Sequence, residues 1–145
     1  MEMKTILILF VTSILLITAC EDSEIEDDVV ISQDGTVIIS SATYKATKTN
    51  YYSISNAEIV GDTLRITVSS SGCSGDTWIA KLIDSGAIAE SNPVQRFAKI
   101  SLENIEACAS VPSKEFVFDL SLLRVGYDRL SLNLEGWNDG LLYRY

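Results

Sequence analysis

The sequence contains no histidine, and it has only 11 lysines and arginines against 20 aspartates and glutamates. The absence of histidine excludes Ser-His-Asp and Cys-His catalysis, HExxH zinc sites and every metal site that needs an imidazole ligand. The formal net charge of −9 argues against nucleic-acid binding, which depends on clustered Lys and Arg side chains. The length of 145 residues allows one domain of ordinary size.

The N-terminal part of the chain has the pattern of an export signal. Lys4 precedes an apolar run of twelve residues, from Ile6 to Ile17, which only Thr12 and Ser13 interrupt. Twelve residues of helix extend about 18 Å, whereas the hydrocarbon core of a bilayer requires about 20 apolar residues. The run is therefore interpreted as the hydrophobic region of a signal peptide and not as a transmembrane helix.

The apolar run ends in the sequence LITAC, with Ile17, Ala19 and Cys20 at its key positions. This pattern resembles the lipobox of bacterial lipoproteins. The resemblance implies that residues 1–19 are removed and that Cys20 becomes the mature N terminus, with a diacylglyceryl group on its sulfur and an acyl chain such as palmitate on its amine. Two or more acyl chains hold a protein firmly on a membrane, whereas a single acyl chain gives only marginal binding. The implied location is the bacterial outer membrane, on its periplasmic or cell-surface face. A plain secretory leader that leaves Cys20 unmodified is the alternative.

Residues 20–34 are interpreted as the lipidated cysteine and an acidic tether. Positions 21–28 hold six acidic residues, whose mutual repulsion keeps the segment extended. Residues 29–145 hold 13 acidic and ten basic residues, so that this larger part carries a net charge of only −3. The tether is expected to be a solvated spacer. In some Gram-negative lineages, an acidic run after the lipid cysteine also resembles a signal for export to the outer face of the outer membrane.

From about residue 35 onward, polar and apolar residues alternate with a period of two. Leu64, Ile66 and Val68, for example, are separated by polar residues. Such alternation is typical of antiparallel sheets with one buried and one solvent-facing side. Turn-forming residues divide the runs at intervals of about ten residues. Strands are predicted near 36–44, 52–60, 63–70, 76–84, 94–103, 115–122, 128–135 and 141–145.

Residues 35–145 are therefore expected to form one all-β domain. The strand number predicts an antiparallel β-sandwich of seven or eight strands, with an immunoglobulin-like arrangement as one candidate. Residues 102–110 have a helical spacing of apolar residues, but they would form at most two turns. Trp78 lies on the apolar side of its predicted strand and is assigned to the core.

Two cysteines remain if Cys20 carries lipid. Export places the domain in an oxidising compartment, so Cys73 and Cys108 are predicted to form a disulfide. A loop of about 35 residues closed in this way would stabilise the domain by roughly 3–4 kcal/mol. A redox function usually requires a closer pair such as CxxC, and a free reactive thiol is the remaining alternative.

Motifs for catalysis are absent from the sequence. Residues 72–75 (GCSG) do not form a GxSxG nucleophile motif, no SxxK arrangement occurs, and no glycine-rich phosphate loop precedes a helix. Paired carboxylates could hydrolyse glycosides. The acidic residues of the domain, however, are expected at turns or on solvent-facing strand sides, as at Asp62, Asp84 and Asp139. We therefore predict no catalytic residue, no metal and no cofactor.

Aromatic residues provide the candidate binding surface. Trp137 lies in a turn-like segment, and Tyr51 and Tyr52 would point to opposite sides of an extended strand, so that one of them is exposed. Exposed aromatic side chains stack on sugars or anchor protein interfaces. Packing within the domain is the simpler role for each of the three.

A short motif marks a candidate modification site. Asp62-Thr63-Leu64 resembles an O-glycosylation motif of secreted proteins in some Gram-negative bacteria, which makes Thr63 the candidate acceptor. The alternative is a capped hairpin turn.

Together, these features favour a lipid-anchored cell-envelope protein with a structural or binding role, whose partner is a glycan or a protein. One alternative is a small glycan hydrolase, which would need two carboxylates about 5–10 Å apart in a cleft. Another is a protease inhibitor, which would need a rigid loop that protrudes at residues 71–76 near Cys73.

Overall fold

The computed structural model describes residues 28–32 and 35–145. The predicted signal peptide, the predicted lipid attachment at Cys20 and most of the predicted tether lie outside these residues. Within the described part, no helix has the length and the hydrophobicity that a membrane span requires.

The described residues are mostly β-structure, as the alternation predicted. In chain order the strands are β1 (Asp28–Ser32), β2 (Gly35–Ile39), β3 (Tyr52–Val60), β4 (Thr63–Ser70), β5 (Ile79–Ala89), β6 (Val94–Glu103), β7 (Ser113–Asp119), β8 (Arg129–Leu134) and β9 (Leu141–Arg144). Helical structure in these residues is limited to α1 (Ser41–Ala46) and a 3-10 turn at Ser121–Leu123.

The strands form two sheets. A six-stranded sheet has the order β1-β2-β5-β6-β8-β9, and a three-stranded sheet has the order β3-β4-β7. β1 lies in the segment predicted as tether and pairs with β2, so the large sheet begins at Asp28, ahead of residue 35.

The expectation of wholly antiparallel sheets is wrong at two pairings. β2 and β5 are parallel, and so are β6 and β8. Parallel neighbours require a crossover connection, and here the crossovers contain strands of the smaller sheet: β3 and β4 in the first case, β7 in the second. The alternation of polar and apolar residues indicates only which side of a strand is buried, so it could not distinguish parallel from antiparallel pairing.

The predicted strand 36–44 ends early, because a helix begins at Ser41. Ser40 has an extended backbone, and its hydroxyl accepts a hydrogen bond from the Thr43 N–H at 3.1 Å, which caps the first turn of α1. The helix continues only to Ala46. The capping serine, Ser40, was therefore the local sequence signal that a helix begins at this point.

Three other predicted elements differ from the structure. The strand predicted at 115–122 is β7, which ends at Asp119 and is followed by the 3-10 turn at Ser121–Leu123. The predicted strand 76–84 is β5, which continues past the expected turn at Gly86 because that turn is a bulge, with a positive φ of +74° at Gly86. The helix predicted within 102–110 is absent, since residues 104–108 have no regular structure.

Both sheets contribute to one hydrophobic core. The alternating residues of β4, β6 and β8 point into it as predicted, and Phe118 and Tyr143 are fully buried beside them. Trp78 is also buried, as its position in the sequence suggested. Full burial of a large apolar side chain is worth about 1.5–3 kcal/mol, so this core dominates the stability of the domain.

The core also contains an ion pair. The expectation that Asp84 lies at a turn or a solvent-facing side is wrong, because its side chain is fully buried against Arg96. The guanidinium donates to both carboxylate oxygens, at 2.7 and 3.1 Å, and the Gly86 N–H donates to Oδ1 at 2.8 Å. The bulge in β5 brings this third donor to the carboxylate.

The predicted disulfide between Cys73 and Cys108 is confirmed. Their Cα atoms are 4.8 Å apart. The bond joins the β4–β5 loop to the β6–β7 connection, two segments that are 35 residues apart in sequence.

Candidate functional site

A shallow groove lies on the outer side of the six-stranded sheet, away from the core. The outward-facing residues Phe97 of β6 and Asn133 of β8 are register partners there. Helix α1 packs against β5 and contributes Tyr44, and the turn after β8 contributes Trp137. We call this feature the Trp137 groove. It has a volume of about 220 Å³ and is lined by Tyr44, Phe97, residues 132–135 and residues 137–140.

A tight turn at the end of β8 places Trp137 in the groove. The Trp137 N–H donates to the Leu134 carbonyl at 3.1 Å, which closes a four-residue turn. Gly136, the third residue, has a φ of +88°. A positive φ at this position strongly favours glycine, so the Glu135-Gly136-Trp137 sequence determines the turn.

A charged pair lies beside the aromatic rings. The Lys99 ammonium is 3.2 Å from the Glu135 carboxylate and 4.5 Å from the centre of the Tyr44 ring. The hydroxyl of Thr49 donates to Glu135. That hydrogen bond, with a further contribution from Lys99, holds the pKa of Glu135 below its usual range despite partial desolvation. Desolvation raises the pKa of Tyr44.

The chemistry of the groove suits a ligand rich in hydroxyl groups. The ionised Glu135 is an acceptor of charge-assisted hydrogen bonds, and the exposed Asn133 amide provides a carbonyl acceptor, since its N–H groups already donate to the Gln95 side chain and the Arg96 carbonyl. The rings of Tyr44, Phe97 and Trp137 provide apolar surface with polar neighbours. The groove is smaller than the 300–1,000 Å³ typical of enclosed small-molecule sites, so a ligand would lie across it.

Trp137 also has a packing role. Its side chain is half-buried and contacts the core, and its indole N–H is buried without an acceptor in the described part of the chain. An unsatisfied buried donor costs about 1–3 kcal/mol. Only part of the ring therefore serves the groove, and the remainder fixes the turn to the domain.

Tyr51 and Tyr52 lie outside the groove. Tyr51 is exposed and Tyr52 is half-buried, so one of the two is exposed as expected, but their side chains do not point to opposite sides. Both hydroxyls donate to backbone carbonyls of the same strand, β6: Tyr51 to Leu102 and Tyr52 to Ile100, each at 2.8 Å. Their rings meet edge to face with centres 5.4 Å apart. Tyr51 precedes the first residue of β3, so strand alternation does not apply to it. These contacts fit the packing alternative.

Thr63 is the first residue of β4 and lies half-buried in the three-stranded sheet. The preceding residue, Asp62, accepts hydrogen bonds from Tyr143 and Arg124, both at 2.6 Å. Tyr143 first, and then Arg124, hold the pKa of Asp62 below its usual range. Burial raises the pKa of Tyr143 to about 12, and its hydrogen bond to Asp62 adds to the shift. Glycosylation of Thr63 stays a prediction.

The disulfide loop encloses a carboxylate that the sequence did not identify. Glu106 Oε2 accepts from the backbone N–H groups of Cys73, Ser74 and Gly75, at 2.6, 3.0 and 3.0 Å. The Thr77 hydroxyl donates to Oε1 at 2.9 Å. These donors, the Gly75 N–H foremost, lower the pKa of Glu106 to about 2. An inhibitory loop would present its backbone groups to a protease, whereas these N–H groups already donate to Glu106 of the same chain.

Sequence reasoning identified only one of the aromatic residues of the groove. It named Trp137 but placed Tyr44 in a strand and gave Phe97 no role. The serine cap at Ser40, which starts α1, was the available signal for Tyr44. Phe97 and Lys99 share the outward side of β6, and this parity was visible in the sequence.

The described residues contain no group of three or more potential metal ligands. Comparison with known proteins finds no match to this chain among protein-family models, curated proteins or solved structures.

Proposed function

We propose that this protein is a lipid-anchored component of the bacterial outer membrane, facing the periplasm or the cell surface. Its β-domain binds a glycan in the Trp137 groove and catalyses no reaction. The lipobox-like sequence that ends at Cys20 and the acidic tether support the anchored location.

The observation that carries the binding role is the composition of the groove. Tyr44, Phe97 and Trp137 come from three separate elements to one outer face, beside the ionised Glu135. A sugar ring has apolar faces and a rim of hydroxyl groups, so it matches rings and carboxylate together. A protein partner is less suited to this site, because stable protein interfaces bury about 1,200 Å² or more.

Glu135 is unsuited to be the proton donor of a glycan hydrolase. A glycosidase needs one carboxyl whose pKa is raised, so that it holds a proton at neutral pH. The pKa of Glu135 is shifted in the opposite direction. Glu135 therefore acts as a hydrogen-bond acceptor in our proposal.

We further propose that the two sheets form a β-sandwich without the immunoglobulin arrangement. Their shared core supports the sandwich. The two parallel pairings argue against the immunoglobulin type, whose sheets are antiparallel.

The binding role is tested with the purified full-length chain and an oligosaccharide panel, by isothermal titration calorimetry. Phe97→Ala and Tyr44→Ala should each weaken binding of the best ligand by roughly three- to tenfold, the usual contribution of an aromatic contact. Tyr51→Ala is the matched control, because Tyr51 is an aromatic residue outside the groove, 44% exposed. Absence of any glycan binding, equal losses for all three variants, or release of reducing sugar would overturn the proposal.

The location is tested by mass spectrometry of the mature N terminus and by protease treatment of intact cells. We expect Cys20 to carry lipid and Cys20→Ser to release the protein from the membrane fraction. An unmodified Cys20 in the native protein would refute the anchor. Cleavage in intact cells would assign the domain to the cell surface, and cleavage only after lysis would assign it to the periplasm.

A further inference from the structure

A larger cleft, of about 390 Å³, lies at the other end of the β6–β8 pair. Residues 91–94, which lead into β6, and residues 127–129, which lead into β8, line it. Tyr127 is 66% exposed there. Because β6 and β8 are parallel, both strands begin at this cleft and run toward the Trp137 groove.

One of the residues that line this cleft, Arg129, lies beside a second arginine. Arg129, which lines it, is the register partner of Arg144 on β9. Directly opposed residues of an antiparallel pair share one face, with Cβ atoms about 4.5–5.5 Å apart. Both arginines are exposed. Like charges in this arrangement destabilise a sheet, so the pair needs an explanation other than folding.

Neither arginine has a carboxylate partner among the described residues. The other cations of the strands, and Arg124, are engaged with protein groups: Arg65, Lys81, Arg96, Lys99 and Arg124 form ion pairs, and Lys114 donates to three carbonyls. Arg129 makes only a 3.5 Å contact with the Asn92 side chain. Asp128 also lines the cleft, yet it forms no ion pair with either guanidinium. Two unneutralised guanidiniums in a domain with excess carboxylates point to an external anion.

We propose that Arg129 and Arg144 bind an acidic group of the same glycan whose sugar rings occupy the Trp137 groove. The ligand is then an acidic polysaccharide, and this inference rests on the proposed function. Guanidinium groups bind carboxylate or sulfate through paired charge-assisted hydrogen bonds.

The distance between the two sites sets the size of the ligand. Arg129 and Glu135 are six residues apart along β8 and its turn, which corresponds to about 20 Å. One sugar ring cannot span that length, so the ligand is an oligomer. Polar groups cover the sheet between the sites, where the Asn133 amide donates to the Gln95 side chain at 3.0 Å.

The test compares an oligogalacturonate with its methyl ester, which has the same backbone without the charge. Calorimetry with the full-length chain should show at least tenfold tighter binding of the acid at low salt. Arg129→Gln and Arg144→Gln should each weaken binding of the acid by about tenfold and leave binding of the ester unchanged. Arg65→Gln, at an exposed ion pair on the other sheet, is the matched control. Without ligand, Arg144→Gln should melt at the same temperature as the native chain or higher.

Several outcomes would overturn the inference. The anion site would be refuted by equal affinities for the acid and the ester. It would also be refuted if both arginine variants lost no more affinity than Arg65→Gln. In either case, loss of ester binding in Phe97→Ala would still support the glycan groove. Dextran sulfate is tested as well, with unmodified dextran as its reference. If it binds more tightly than the galacturonate, the acidic group of the ligand is a sulfate. Polyglutamate or inorganic sulfate bound as tightly as both polysaccharides would refute a glycan ligand. No glycan binding at all would refute both proposals.

Discussion

Removing one partner of the buried Asp84–Arg96 pair should destabilise the domain more than any other single change in a polar side chain. In Arg96→Met, the carboxylate of Asp84 loses both guanidinium hydrogen bonds and keeps only the Gly86 N–H. The Asp84 side chain has no solvent exposure, so water cannot replace the lost donors. Loss of one partner from a buried ion pair costs about 3–5 kcal/mol. Total stabilities of about 5–15 kcal/mol are usual, so the variant would lose a large share of the stability of the domain.

The double variant Asp84→Val/Arg96→Met removes both the attraction between the two charges and the cost of burying them. It leaves no buried charge, and the remaining penalty is the Gly86 N–H that loses its acceptor, at most about 1–3 kcal/mol because Gly86 is an exposed residue. The double variant should therefore be at least as stable as Arg96→Met alone. The measurement is urea denaturation followed by circular dichroism for the native chain, both single variants and the double variant.

An exposed pair provides the control for this cycle. Arg65 and Glu115 are 3.0 Å apart, with side chains 44% and 50% exposed. Arg65→Met should cost no more than about 1 kcal/mol, because solvent screens such pairs. Equal losses for Arg96→Met and Arg65→Met, or a double variant whose loss is the sum of the two single losses, would refute this account of the core.

Three further predictions concern the loops and a strand start. Reduction of Cys73–Cys108, or Cys73→Ser with Cys108→Ser, should lower the free energy of unfolding by roughly 3–4 kcal/mol, as measured by urea denaturation with and without reductant. Glu106 should stabilise the fold fully above pH 4.5, and this contribution should disappear as the pH falls through about 2. In a plot of unfolding free energy against pH, Glu106→Gln should therefore reduce the fall in stability at acidic pH. An unchanged fall would contradict the contacts of this carboxylate. Gly35→Ala should cost about 1–3 kcal/mol in thermal denaturation, because φ is +152° and the new Cβ would lie 2.5 Å from the Val117 carbonyl oxygen.

The sequence predicted what depends on local alternation. The bounds of β3, β4 and β6 coincide with the predicted strands, and the residues of β4 and β6 alternate without interruption. The burial of Asp84 depends on Arg96, twelve residues later, and on a bulge between β5 and β6 that no local pattern indicates. The parallel pairings likewise depend on the paths of long connections.

The groove was predictable only in part for the same reason. Trp137 follows a turn-forming glycine, and this local signal made it a candidate. Tyr44, Phe97 and Trp137 are far apart in sequence, and a helix, a strand and a turn bring them together. The Arg129–Arg144 pair depends on the register of β8 with β9, which the sequence left open.

The two crossovers have a consequence for how the domain unfolds. Because the chain leaves the large sheet after β2 and again after β6, returning each time beside its departure strand, neither sheet is encoded by one continuous stretch. A cut between β4 and β5 would therefore divide both sheets at once. We expect the described domain to lose its structure in one cooperative transition and to fold slowly, since its strand pairs form between distant segments.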